Sequence, residues 1–300
     1  MSGPHNSNPK SNKENKLKKV TVNEILNMKL RNEKISVLTA YDYCSALICD
    51  RAGVDILLVG DSLGMVVLGY EDTISVEMDD MILFSRAVSR GVSRSMIITD
   101  MPFGSYQINS NDAVINAINL IKAGSNAVKL EGGIEIVETI KHIVKTGIPV
   151  MGHIGLKPQT STLWEGYKIQ GKTKESALKL IHEAQELEKA GVFCIVLEMV
   201  THEVADLISK RISIPTIGIG SGPSCDGQVL VLHDMLGIYE RLKPRFVKKY
   251  TNLSEIIESS TSKYVHEVKH SIFPNLDEHS FHMDKEEYSD LMDVLNKSIK

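Results

Sequence analysis

The stretch DRAGVDILLVGDS, residues 50–62, closes a helical pattern on Ala52-Gly53 and runs at once into the apolar segment Ile56-Leu57-Leu58-Val59. The glycine suits the left-handed residue that ends many helices. The apolar run is strand-length and does not alternate, which marks a strand covered on both faces, as in a parallel sheet. The chain then leaves the core on Asp61 and Ser62. A carboxylate at that point is costly without a partner.

The same unit recurs at IKAGSNAVKLEGG (121–133), VKTGIPVMGHIG (144–155) and EKAGVFCIVLEMV (188–200). Helical patterns fill the intervals, over 79–91, 111–124, 135–147 and 175–191. In the last, Ala177, Leu180, Ile181, Ala184 and Leu187 fall on one stripe. Asn111 or Asp112 is placed to cap the second. Strands are expected at 36–41, 56–61, 95–100, 127–131, 148–153, 193–198, 214–219 and 228–233. Strand-helix alternation through eight such strands predicts an α/β fold, a (β/α)8 TIM-type barrel. An open doubly wound sheet is the alternative, but the first strand-helix turn has no GxGxxG. Residues 251–300 read as a charged, helical C-terminal extension.

Composition narrows the role. Of 300 residues, 42% are apolar and 24% charged, ordinary for a globular chain. A net charge of −4 argues against nucleic acid or a membrane surface as partner. Cys44, Cys49, Cys194 and Cys225 have no zinc-like spacing, and Cys194 reads as a core residue. Residues 1–20 are polar and lysine-rich, and read as a disordered arm. The expected organisation is that arm, one barrel domain with its extension over 21–282, and a charged tail over 283–300. The expected location is cytoplasmic. A mitochondrial transit role for the arm is the alternative, weakened by the lack of Arg and by Glu14 within the basic run.

Chemistry in such barrels gathers where strands end, because the following loops converge over one mouth. The residues there are Tyr41, Asp42, Asp61, Ser62, Asp100, Lys129, Glu131, His153 and Glu198. Carboxylates facing one cavity repel each other unless a cation or a shared proton intervenes. Asp61, Asp100 and Glu131 offer hard oxygen ligands that suit Mg2+. A 2-oxo acid chelated there would have its carbonyl polarised and its neighbouring C–H acidified. Structural readings stand beside these. Asp61 could cap the next turn, Asp100 could serve the turn before Met101-Pro102, Lys129 and Glu131 could simply pair, and His153 could be a core histidine. Glu198, between apolar neighbours, is expected to be buried, either paired with a cation or poised as a general base.

The stretches TAYDY (39–43), LLVGDSLGM (57–65), TDMPFGSY (99–106), VKLEGG (128–133), PVMGHIGLKPQT (149–160), GYKIQG (166–171), VLEMV (196–200), IPTIGIGSG (214–222), DGQVLVLHD (226–234) and PNLDEHSFH (274–282) together resemble the ketopantoate hydroxymethyltransferase family. The resemblance runs from about residue 20 to 282. It implies a (β/α)8 barrel with Mg2+ that transfers a hydroxymethyl group from 5,10-methylenetetrahydrofolate to 3-methyl-2-oxobutanoate, in pantothenate and coenzyme A biosynthesis. It implies metal ligation by Asp61, Asp100 and Glu131, and substrate binding by Asp61, Ser62, Asp100 and Lys129. It also implies proton abstraction by Glu198, second substrate contacts from Tyr41 and His153, and a large homo-oligomer. Trp164-Glu165 departs from the glycine that often precedes GYK in the family. Gly218, Gly220 and Gly222 could form an anion nest, but close backbone packing is the favoured reason. His279 and His282 read as surface or interface residues. A lyase or mutase of the phosphoenolpyruvate mutase and isocitrate lyase type is the rival enzyme, and the cysteine-free loop GHIGLKPQT speaks against it. A non-catalytic barrel would be expected to have lost rim acids, and all are present.

Overall fold

The computed structural model describes residues 18–160, 168–241 and 244–298. The chain divides into two compact units, Met1–Met235 with Tyr239–Lys248, and Leu236–Ile238 with Lys249–Lys300.

In the first unit the order is α1 (Val22–Leu30), β1 (Ile35–Thr39), α2 (Tyr43–Arg51), β2 (Ile56–Val59), α3 (Leu63–Val66), α4 (Met78–Gly91), β3 (Met96–Asp100), α5 (Ser110–Lys122) and β4 (Ala127–Glu131). It continues with α6 (Val137–Lys145), β5 (Val150–Gly155), α7 (Lys174–Ala190), β6 (Cys194–Glu198), α8 (His202–Arg211), β7 (Thr216–Ile219), β8 (Gly227–Leu230) and α9 (Leu232–Leu236). The eight strands are parallel, each pairs with its sequence neighbour, and β8 returns to β1 to close the barrel. This is the predicted architecture, with every expected strand in place.

The four repeated glycines do what their position predicts. Gly53, Gly124, Gly147 and Gly191 all have positive φ, between 88° and 111°. Each ends a helix in a conformation that a Cβ would strain. One capping expectation is corrected. The cap of α5 is Asn109, whose side chain accepts from Asp112 N at 2.9 Å. The helix starts one residue earlier than its apolar pattern suggests, so Asp112 becomes the partner of the cap.

Alternate residues along each strand share one face. Ile35 and Val37, Ile56 and Leu58, Met96 and Ile98, Ala127, Met151, Cys194 and Val196, Ile217 and Val229 join one buried cluster that fills the barrel. Burial of each large member contributes about 1.5–3 kcal/mol. Ile25 and Met28 of α1 belong to the same cluster, so this helix closes one end. Lys29 fastens it by donating to the carbonyls of Ser209 and Ile214 and to Asp226 Oδ2, each at 2.9 Å. Val20 is buried too, and its N–H donates to Arg94 O at 2.8 Å, so packed chain begins before residue 21.

The glycine run after β7 is explained by packing. A Cβ on Gly218 would meet Cys225 Sγ at 3.0 Å, one on Gly220 the Phe246 ring at 2.8 Å, and one on Gly222 the His202 Cβ at 2.6 Å. The second unit contains α10 (Leu253–Lys269), α11 (Leu276–His279) and α12 (Lys285–Ser298). No residue of α10 is buried.

Candidate active site

The inward positions of the strands change character toward their C-terminal ends. On β3 they read Met96, Ile98, Asp100; on β4, Ala127, Lys129, Glu131; on β5, Met151, His153; on β6, Cys194, Val196, Glu198. The lower members are core residues, and the upper ones form a polar layer above that core. Strand register aligns this layer, with Asp100 opposite Lys129 and Glu131 opposite His153.

The side chains meet as the alternation predicts. Lys129 Nζ lies 3.2 Å from Asp100 Oδ1, 3.9 Å from Glu131 Oε1 and 3.2 Å from His153 Nδ1. His153 Nδ1 is also 3.3 Å from Glu131 Oε1, and its Nε2 is 3.2 Å from Glu198 Oε2. Asp61 joins from the loop after β2. Its backbone N–H donates to Asp100 Oδ2 at 3.1 Å, and its Oδ2 accepts from Gln159 Nε2 at 2.8 Å. Tyr41 is buried, with its hydroxyl 2.8 Å from Ser62 Oγ.

Asp61, Asp100, Lys129, Glu131 and His153 are all buried. Glu198 is only half-buried, against the expectation of a buried glutamate, because it is the last residue of β6 and stands at the edge of the layer. Burial, then repulsion from Asp100 and Glu131, pushes the Asp61 carboxyl well above the usual carboxylate range. Burial also raises Asp100, with Lys129 opposing it. Glu131 goes the other way. Burial works against its ionisation, but His153 and Lys129 outweigh that and lower it. For His153, burial and the Lys129 charge favour the neutral ring, yet Glu131 and Glu198 prevail and raise it to about 9. The neighbouring acids raise Lys129 against the effect of burial. The layer therefore carries more carboxylates than its resident cations neutralise comfortably.

The Asp61 side chain does not cap α3, since it is engaged by Gln159. Asp100 faces Lys129 across the register and accepts from Asp61 N–H, which is more than a turn residue does. Asp42 is the structural acid of the group, capping α2 by accepting from Ser45 N–H at 2.9 Å. Trp164 and Glu165 lie outside the described residues.

Asp61, Asp100 and Glu131 are gathered into one cluster, yet among the described residues no three His, Cys, Asp or Glu side chains are poised as a ready-made metal site. Lys129 stands between Asp100 and Glu131, where a cation would need to be. The donor set nevertheless fits a hard divalent ion. Its atoms are carboxylate oxygens, their charge is under-compensated, and Asp100 Oδ1 is buried without a hydrogen bond, its 3.2 Å approach to Lys129 being poorly angled.

Two residues of the site had no role assigned from sequence. Gln159, buried in the helical turn at 158–160 after β5, touches both Asp61 and Glu131, its backbone N–H donating to Glu131 Oε2 at 3.1 Å. Tyr106, also buried, places its hydroxyl 2.8 Å from Gln159 Oε1 and 2.9 Å from Glu131 O. Both lie outside the strands, where no alternation announces an inward side chain.

Known proteins resemble this chain along most of its length. A family model described as ketopantoate hydroxymethyltransferase matches residues 19–276. The 3-methyl-2-oxobutanoate hydroxymethyltransferase of Nitrosopumilus maritimus (strain SCM1) is 56% identical over 275 residues, covering 92% of this chain and 98% of its own. That of Enterococcus faecalis (strain ATCC 700802 / V583) is 57% identical over 254 residues, covering 84% and 92%. Among solved structures, a phosphonopyruvate hydrolase in complex with oxalate and Mg++ superimposes with a TM-score of 0.56 at 12% identity, over 93% of this chain and 98% of that one. A phosphoenolpyruvate phosphomutase from Streptomyces platensis subsp. rosaceus gives 0.58 at 11% identity, over 92% and 97%. At that identity the structural likeness speaks for the fold alone. No helix among the described residues is long and apolar enough to cross a membrane.

Proposed function

The chain belongs to the ketopantoate hydroxymethyltransferase family, and from that premise we propose how its polar layer divides the work. The reaction transfers a hydroxymethyl group from 5,10-methylenetetrahydrofolate to 3-methyl-2-oxobutanoate, giving 2-dehydropantoate for pantothenate synthesis.

Asp61, Asp100 and Glu131 would hold Mg2+. Bound there, the ion would polarise the keto group of the oxo acid and acidify its neighbouring C–H. Lys129 steadies the substrate carboxylate or the developing enolate, a role suited to a buried, fully charged ammonium. Doing so takes it from the space between Asp100 and Glu131. Glu198, half-buried at the edge of the layer, is the base that removes the C3 proton. His153 Nε2, 3.2 Å away but not aligned for a hydrogen bond, sets a positive charge beside that carboxylate. The carbanion electron pair then attacks the one-carbon unit presented as an iminium by the folate, forming the new C–C bond; water replaces the folate nitrogen on that carbon, giving the hydroxyl, and tetrahydrofolate leaves with the proton. Ser62 and Tyr41, joined at 2.8 Å, form the neighbouring wall and contact the substrate.

The observation that carries this reading is the shared inward face of Asp100, Lys129, Glu131, His153 and Glu198 on four consecutive strands, with Asp61 alongside. Tetrahydrofolate release with 3-methyl-2-oxobutanoate, measured with and without EDTA, tests it. Turnover that EDTA abolishes and Mg2+ restores is expected; undiminished turnover after EDTA contradicts the metal role. We also read the exposed Ile256, Ile257, Tyr264 and Val268 of α10 as a self-association face of a large homo-oligomer, checked by light scattering. A cytoplasmic setting suits a biosynthetic enzyme whose relatives above are archaeal and bacterial.

A further inference from the structure

We infer that Gln159 is a positioning residue that sets the spacing and orientation of the acid cluster, so that Asp61 and Glu131 can serve one cation. The inference rests on the reading that Asp61, Asp100 and Glu131 hold Mg2+.

Gln159 is 1% exposed and uses its backbone and both ends of its side chain at once. Its Nε2 donates to Asp61 Oδ2 at 2.8 Å and to Met101 O at 3.0 Å. Its backbone N–H donates to Glu131 Oε2 at 3.1 Å. Its Oε1 receives the Tyr106 hydroxyl at 2.8 Å and, more distantly, Gln107 Nε2 at 3.4 Å. These partners leave the amide one orientation. The Met101 carbonyl can only accept, so the NH2 must face it, and the carbonyl end must face Tyr106. The same orientation aims a donor at Asp61.

The consequence is geometric. Asp61 arrives from the loop after β2 and Glu131 from the end of β4, two elements that are not adjacent strands in the barrel. Gln159, in the helical turn after β5, reaches one oxygen of each. On Glu131 the other oxygen, Oε1, faces Lys129 and His153. A neutral donor suits this post. It stabilises two crowded carboxylates without adding a second ammonium to compete with a metal ion. Tyr106 is the brace behind it. Its hydroxyl sits between Gln159 Oε1, Glu131 O and Glu131 N–H, at 2.8, 2.9 and 3.2 Å.

Titration calorimetry of the full chain with MgCl2, without substrates, tests this. Gln159→Met keeps length and burial but removes the amide. It is expected to bind Mg2+ about 10–100-fold more weakly than the unmodified protein. The Mg2+ concentration that half-saturates turnover should rise in the same proportion. Tyr106→Phe, which removes only the brace, should lose several-fold in the same direction. A folded Gln159→Met protein with unchanged Mg2+ affinity overturns the inference, whatever its melting temperature. Should Gln159→Met fail to fold, unchanged affinity in Tyr106→Phe overturns it instead. If the unmodified protein takes up no Mg2+, the metal reading itself fails, and this inference with it.

Discussion

Lys129 Nζ lies 3.2 Å from Asp100 Oδ1, with both side chains at most 5% exposed. Facing residues on β4 and β3 bring a full positive charge to a buried carboxylate oxygen that lacks a hydrogen bond. The pair is electrostatic rather than directional. The lysine acts as the internal cation of the cluster.

Replacing Lys129 with Met therefore leaves the acids uncompensated. Loss of one partner from a buried ion pair costs about 3–5 kcal/mol. Denaturant unfolding at neutral pH should show a loss of that order. Mg2+ should restore more stability to Lys129→Met than it adds to the unmodified protein, because the competing ammonium is gone. An equal Mg2+ effect in both proteins would contradict the placement of the cation.

Asp61 makes the opposite prediction. Burial and the nearby acids raise its carboxyl, so the folded state holds the proton more tightly than the unfolded chain. Stability is then lost as pH rises through the folded value. Asp61→Asn removes that penalty and keeps an oxygen for Gln159 to bond. The metal-free variant should be more stable at neutral pH, by about 0.5–2 kcal/mol, while activity collapses. A variant that is both less stable and inactive would assign Asp61 a structural role.

Away from the site, Asp50 supplies a pH dependence of the usual sign. It accepts from the backbone N–H groups of Ser93, Arg94 and Ser95 and from the Ser93 hydroxyl. Burial opposes its ionisation, but these donors prevail and hold it at about 2. Its contribution, about 2 kcal/mol, is complete above the unfolded value and lost as pH falls through the folded one. Asp50→Asn should be less stable at pH 7, and the difference should shrink between about pH 4 and 2. A difference constant with pH would refute the assignment.

The barrel was legible because its signals are local. Glycines such as Gly53 and Gly191 must adopt positive φ to end their helices, and non-alternating apolar runs must be covered on both faces. The strand-borne site residues were legible for a related reason. The two-residue period carries Asp100, Lys129, Glu131, His153 and Glu198 upward from recognisable core positions. What the sequence hid depends on side-chain reach. Nothing in HIGLKPQT shows that Gln159 folds back under Asp61, nor that Lys129 stands between Asp100 and Glu131. Asn109 was hidden because the apolar pattern of α5 begins after its cap.

Deprotonation of the oxo acid by Glu198 is the step on which the proposed chemistry turns. Proton NMR of 3-methyl-2-oxobutanoate in deuterated water, with enzyme and Mg2+ but no folate, isolates it. The account predicts exchange of the C3 proton by the unmodified protein and none by a folded Glu198→Gln variant that still binds Mg2+. Exchange at the unmodified rate in that variant would contradict it.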